Sequence, residues 1–339
     1  MKIRTTLIPI AAIALSALSL SACSTSTTTS SAPATPIKIS LVRQLGTGDY
    51  FELWLSGAKA EAKKLGVDLT VSDANGTDAQ QALDLQTAIN SKADAIVVDH
   101  GFAQTIDPGI AAAVTAKIPV VAFDVDPGKS KVVTIDQSDA TIGKQVTGQL
   151  LKATGGKAQV IYVYVAGYAP LDKRNAVWVK VKKANPGLDQ VAQIGAVDSN
   201  TDAEVADQAK AALEAHPDVT AILAPYDEFA KGATIAVNEL GLQKKVKVYG
   251  ADISTADIGV LTAADSPWVA TSATDPANVG AVAIRAAYLK ATHKSVAPLI
   301  EIPPTLLTQA DLREKKVTTL AQLIKAFPQL QTPDVAPVK

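Results

Sequence analysis

From Ile37 onward, short β-branched runs alternate with longer stretches whose apolar positions recur at helical spacing. Residues 37–42 read as a strand, and residues 51–65 as a helix offering Leu53, Trp54, Ala58 and Ala62 to one face before Gly66 stops it. Further strands fall at 67–72, 95–98 and 119–123, with helices over 78–91 and 106–116 between them. After the Gly155-Gly156 pair the alternation restarts. Strands are predicted at 160–165, 191–196, 219–223, 246–249 and 269–274, and helices at 174–184, 202–215, 229–240 and 278–290. Alternation of this kind predicts parallel sheets with crossover helices, and its repetition predicts an α/β fold of two similar Rossmann-like lobes.

The residues before this body read differently. Lys2 and Arg4 precede an apolar run over 7–20 that ends in small residues, the pattern of a secretory signal over residues 1–22. That run is shorter than the roughly 20 apolar residues needed to span a bilayer. The single cysteine, Cys23, closes Leu20-Ser21-Ala22-Cys23, which resembles a bacterial lipobox; the alternative is a chance cysteine at the end of a signal. The resemblance implies a lipidated Cys23 anchoring the protein on the outer face of the cell membrane. Residues 23–36, almost all Ser, Thr, Ala and Pro after the cysteine, are expected to be a flexible tether.

Composition narrows the function. A 339-residue chain with 47% hydrophobic residues has material for about two domains with real cores. Its 32 basic and 33 acidic side chains leave a net charge of -1, and removing the signal with Lys2 and Arg4 makes it -3. No global basic field is present for a phosphate backbone, so nucleic acid is not an expected partner. One thiol makes neither an internal disulfide nor a multi-cysteine metal site, and the three histidines are scattered. Neither a metal nor a cofactor is expected. No phosphate loop or nucleophile elbow appears, and catalysis is the weaker class.

Ligands of open α/β sheets bind beyond the carboxyl ends of the strands. There the sequence places Asp49, Tyr50 and Phe51, then Asp99-His100, Asp124, Tyr226, Asp252 and Thr274. A lone strand-end Asp is more often a helix cap or turn residue, but the recurrence of carboxylates and aromatics points to a site.

Three segments carry a resemblance: Val120-Val121-Ala122-Phe123-Asp124, His216-Pro217-Asp218-Val219 leading into Tyr226-Asp227-Glu228, and Val248-Tyr249-Gly250-Ala251-Asp252. Together they resemble periplasmic sugar-binding proteins of the ribose-binding type, the substrate receptors of bacterial ABC importers, over Ile37 to about Leu307. The resemblance implies that Tyr50 and Phe51 stack on a sugar, that Asp124 and Asp252 accept hydroxyl hydrogen bonds, and that Arg174 clamps ligand oxygens. Packing under the first helix is the other reading of the two aromatics, and a solvated helix start that of Arg174. Asp99 stands where the family often has Asn, Tyr226 where Asn is usual, Thr274 where Gln or Asn is usual, and Val125 where Arg is common. These departures suggest a donor-poor pocket suited to a polyol, with a pentose or deoxy sugar as the alternative.

The resemblance further implies a type I periplasmic binding protein fold with a three-stranded hinge. The expected N-terminal lobe is 37–136 plus 275–304, the C-terminal lobe 137–274 plus 305–330, and residues 331–339 a frayed tail. A monomer closing on a small carbohydrate and delivering it to an ABC permease and its ATPase follows. The alternative is a sensory receptor presenting a sugar or signal molecule to a membrane kinase.

Overall fold

The computed structural model describes residues 36–338, so the signal segment and Cys23 lie outside the described residues. The chain runs in four legs. The first builds β1 (Lys38–Arg43), α1 (Asp49–Leu65), β2 (Asp68–Asp73), α2 (Asp78–Asn90), β3 (Ala95–Asp99), α3 (Ala103–Thr115), β4 (Val120–Phe123) and β5 (Val133–Asp136). The second builds α4 (Asp139–Thr154), β6 (Ala158–Val163), α5 (Ala169–Ala184), β7 (Leu188–Ile194), α6 (Thr201–Ala215), β8 (Ala221–Ala224), α7 (Asp227–Glu239), β9 (Lys247–Ala251), α8 (Thr255–Thr262) and β10 (Trp268–Ala273). α9 (Pro276–Ala291) and β11 (Leu299–Glu301) form the third leg, and β12 (Thr305–Thr308), α10 (Gln309–Glu314) and α11 (Leu320–Ala326) the fourth.

Two six-stranded sheets result, ordered β11-β5-β4-β3-β1-β2 and β12-β10-β9-β8-β6-β7. Every pairing is parallel except β12 on β10. The fold is thus two α/β lobes. The chain passes between the sheets at Gln137–Ser138, after β10, and between β11 and β12.

Each sheet is covered on both faces, which is why its strands read as continuous apolar runs. Side chains alternate faces along a strand. Ile39, Leu41, Val97 and Val121 pack toward α1 and α9, whereas Val42, Ile96, Val98 and Ala122 pack toward α2 and α3. The second lobe sets Ile142, Val146 and Leu150 of α4 and Trp178 of α5 on one face of its sheet. All these cores lie within the described residues.

The structure adds elements that the pattern did not announce. β5 and α4 are unpredicted; α4 carries Thr, Gly and Gln between Ile142, Val146 and Leu150, a four-residue stripe too narrow to stand out. α5 begins at Ala169, five residues before the expected start, because Pro170 occupies its first turn. The tail is held where fraying was expected: Asn278 Nδ2 donates to Thr332 Oγ1 at 2.7 Å and Arg285 Nη2 to the Val335 carbonyl at 3.2 Å, both from α9.

α1 and α9 approach closely enough to require glycine. A Cβ on Gly57 would lie 1.9 Å from the Ala277 carbonyl oxygen, and one on Gly280 2.1 Å from that of Trp54. Backbone cannot yield as a flexible side chain can. Gly280→Ala is expected to cost about 1–3 kcal/mol and lower the melting temperature by several degrees. Gly148→Ala, in α4 with nothing within 4 Å of its added methyl, should be neutral or slightly stabilising. Equal melting temperatures for the two variants would contradict this packing.

Candidate functional site

In each sheet the strand order reverses direction beside the first strand, between β1 and β3 and between β6 and β8. At such a switch point the loops leave to opposite sides and open a crevice at the carboxyl ends. The two crevices face each other, and between them lies a cavity lined by both lobes.

The first-lobe wall starts from α1. Tyr50 and Phe51 in its first turn are buried and line the cavity. Arg43, at the end of β1, fixes this turn by donating from Nη2 to the Phe51 carbonyl at 3.0 Å, with its guanidinium 5.8 Å from the Phe51 ring. Phe51 meets His100 and Tyr226 edge-on, at centroid distances of 5.0 and 6.3 Å. Tyr50 Oη is buried and has no hydrogen-bond partner among the described residues. Burial, with Asp124 and Asp252 nearby, pushes its phenol well above the usual range, so it stays protonated.

Behind this wall is a charged floor. Register places Arg43 beside Asp99, and Arg43 Nε donates to Asp99 Oδ2 at 2.8 Å. Asp99 Oδ1 lies 2.6 Å from His100 Nδ1. Burial pushes the Asp99 carboxyl up, but Arg43 and His100 outweigh it and hold it below its ordinary value. Asp124 Oδ2 accepts from Gln137 Nε2 at 2.7 Å, whereas its Oδ1 is buried and unpartnered among the described residues. Burial, reinforced by Asp139, pushes the Asp124 carboxyl up to about 8. His100, Asp124 and Asp252 directly follow β3, β4 and β9, and all three are left-handed, with φ of 58°, 48° and 66°. Strain of about 1–2 kcal/mol each at these turns aims their side chains toward the crevice.

The second-lobe wall is organised by Arg174 on α5. It donates to Asp139 Oδ1 at 2.9 Å, to Asp252 Oδ2 at 3.0 Å and to the Pro225 carbonyl at 2.8 Å. Burial opposes its charge, but Asp252 and Asp139 outweigh burial and raise its pKa further. Tyr226, just before α7, closes the wall. The lining also carries the apolar side chains of Leu45, Tyr168, Pro170, Leu171 and Val197. Tyr168 packs there against Phe102 of the other lobe at 4.7 Å between centroids.

Of the residues expected from the sequence, Tyr50, Phe51, Arg174, Tyr226 and Asp252 line the cavity. Asp99 and Asp124 stand one layer behind, through His100 and Gln137. Thr274 does not reach the cavity; its hydroxyl donates to Gln137 Oε1 at 2.6 Å and orients that amide. Asp49 lies at the rim as a bridge between lobes, its Oδ2 2.9 Å from Lys231 Nζ and its backbone N–H donating to Glu228 Oε1 at 3.0 Å.

Gln44, His100, Gln137 and Tyr168 also line the cavity; of these the sequence reasoning noted only His100, as the strand-end neighbour of Asp99, and did not carry it into the site. Gln44 follows the end of β1 and was accessible to the same strand-end rule that noted His100; Gln137, on the crossing segment, carried no such signal. Gln44, His100 and Gln137 add polar side chains to the lining, while Val125 turns into the first-lobe core.

Asp124, Asp136 and Asp139 bring carboxylate oxygens within 4.8 Å of one another. Cations of the chain already meet them: Lys173 bonds Asp136 and lies 3.8 Å from Asp139, and Arg174 bonds Asp139. The charge is balanced internally. Among the described residues no helix is long and apolar enough to cross a membrane.

Relatives share this architecture. The ribose import binding protein RbsB of Salmonella typhimurium is 29% identical over 251 residues, covering 74% of this chain and 83% of its own. RbsB of Bacillus subtilis is 27% identical over 263 residues, covering 77% and 83%. The 5-methylthioribose transporter solute-binding protein of Thermotoga lettingae, solved with 5-methylthioribose, superposes with a TM-score of 0.85 at 39% identity, covering 87% of this chain and 93% of that one. A solute-binding protein of Agrobacterium vitis with bound allitol gives 0.76 at 28% identity, covering 82% and 97%. These relatives are binding components of transporters, not enzymes. With residues 39–295 matching the model of the periplasmic binding protein domain, the chain belongs to that family, among the solute-binding proteins of sugar ABC transporters.

Proposed function

We propose that this protein captures a pentose-like sugar or a polyol between its lobes and hands it to an ABC permease driven by its ATPase. The carrying observation is the aromatic wall of Tyr50, Phe51 and Tyr226 around one cavity, with the buried Tyr50 Oη unpartnered in it and Asp124 Oδ1 unpartnered one layer behind. A buried polar atom without a partner is costly, and a ligand hydroxyl relieves that cost. The aromatic edges and faces accommodate the C–H side of the same molecule. Closure uses the three crossings at 137–138, 274–275 and 302–304 as a hinge, with 37–136 plus 275–304 moving against 137–274 plus 305–330. The protein acts as a monomer outside the cell membrane, held there by lipid on Cys23.

A second reading of the ligand is a pentose bearing an apolar group at one end. The apolar share of the cavity lining, Leu45, Tyr168, Pro170, Leu171 and Val197, favours it, and 5-methylthioribose, bound by the Thermotoga relative, has that form.

Titration calorimetry with D-ribose, xylitol, allitol and 5-methylthioribose tests both. Binding of any of them supports the receptor. Tightest binding of 5-methylthioribose, lost by tenfold or more (about 1.4 kcal/mol) in Leu171→Asp, selects the second reading. No heat from all four would refute the proposal.

A further inference from the structure

The cleft uses one end of the first lobe. In a parallel sheet the starts of the strands and the ends of the returning helices gather at the opposite pole. In this lobe that pole is rich in lysine. α1 ends on Lys63 and Lys64, α2 runs on into Lys92, α3 into Lys117, and α9 ends beside Lys290, with Lys294 beyond it. Exposed Lys38 opens β1, and exposed Lys131 precedes β5. Asp68 and Asp94, at the starts of β2 and β3, are the acidic residues at these strand starts.

A lysine at a helix C-terminus favours the helix dipole, and that alone accounts for one or two. It does not account for the contrast with the other lobe. There the corresponding pole interleaves its lysines with exposed Glu214, Asp218, Glu239 and Asp265. Nor does it account for the groove between the first-lobe lysines. Val114, Ile118, Val132, Val296 and Pro298 line a surface groove with Lys117, Lys131 and Lys290 around it, and Val114 is 42% exposed. An adjoining hollow adds Lys294 and Asp94.

The chain also enters the body here, since Pro36 and Ile37 lead into Lys38. Residues 24–36 extend at most about 45 Å, so a lipid on Cys23 keeps the bilayer within reach of this pole.

We propose that the lysine-rimmed pole of the first lobe is a membrane-facing surface that rests on anionic phospholipid headgroups. The lysines meet the phosphates and the apolar groove sits at the headgroup boundary. The cleft, at the other end of the strands, stays clear of the bilayer. The continuous reach of the tether rests on the anchor reading; the surface itself does not. A lysine near an anionic surface contributes about fivefold in partitioning, within a Debye length of about 10 Å.

The test is flotation of the chain from Ser24 onward, which carries every described element, with vesicles of phosphatidylcholine alone or mixed with phosphatidylglycerol. Binding is expected only with phosphatidylglycerol, and its loss in about 0.5 M salt, where screening is nearly complete. The combined variant Lys117→Glu, Lys131→Glu, Lys290→Glu should reduce the bound fraction tenfold or more, with about fivefold from each lysine. Lys244→Glu with Lys245→Glu, on the other lobe, should leave it unchanged, and an unchanged melting temperature would show that each variant is folded. Failure to bind phosphatidylglycerol vesicles, equal binding to neutral ones, or parental binding by the triple variant overturns the proposal. A Cys23 found without lipid would refute the anchor and leave the vesicle result standing.

Discussion

Arg174→Ala is expected to destabilise the body by about 3–5 kcal/mol and to abolish ligand heat. The guanidinium is 3% exposed and joins Asp139, Asp252 and the Pro225 carbonyl. Removing it leaves two buried carboxylates facing each other without their cation. Arg174→Lys keeps the charge but not the fork, so one carboxylate loses its partner and an intermediate loss follows. Replacing the whole network, Arg174→Met with Asp139→Asn and Asp252→Asn, should recover much of the stability, because the cost lies in the unpaired charges. It should not recover binding. Urea midpoints for the three proteins separate these effects. An Arg174→Ala midpoint equal to the parent's would show that the network contributes nothing.

The same network marks how far the sequence could be read. β3 is buried at every position and reads as a strand from composition alone. The residues following β4 and β9, Asp124 and Asp252, were found because a rule ties ligand sites to strand ends. What they would touch was not legible. Arg43 resembles a solvated strand end in one dimension; only the register of β1 on β3 sets it against Asp99. Arg174 was read as a ligand clamp, and its partners lie 35 and 78 residues away. Asp49 meets Lys231 across 182 residues. Local propensity cannot encode such pairings, since they depend on how the lobes face each other. α4 was lost for a different reason, the weak helix preference of its Thr and Gly residues outweighing a narrow apolar stripe.

Ligand affinity is expected to rise with pH up to about 8 and then level, through Asp124. Burial first, and Asp139 second, push its carboxyl up from 3.8 to about 8. At neutral pH the free protein therefore holds a proton there that the unfolded chain, with its ordinary carboxylate, has released. The folded form binds more protons between about pH 4 and 8, so this group's contribution to stability falls as pH rises through that window. Asp257, pushed up to about 7 by burial, acts with the same sign, as does Asp227. His100 acts with the same sign too: burial opposes its charge, but Asp99 wins and raises its pKa, so here again the folded form holds the extra proton and loses stability as pH rises. A ligand hydroxyl that reaches past Gln137 to donate to Asp124 Oδ1 stabilises the ionised carboxylate, so binding through that contact expels the proton below pH 8. Affinity should then change by up to about tenfold per pH unit below that value, and the thermal shift caused by ligand should grow as the free protein weakens. Asp124→Asn keeps the shape but not the proton, and should bind more weakly with a flat profile from pH 6 to 8, roughly the span over which Asp124 ionises. Calorimetry in buffers of differing ionisation enthalpy counts the released proton directly. A proton count of zero in the parent, or the same pH profile in Asp124→Asn, would remove Asp124 from the binding step.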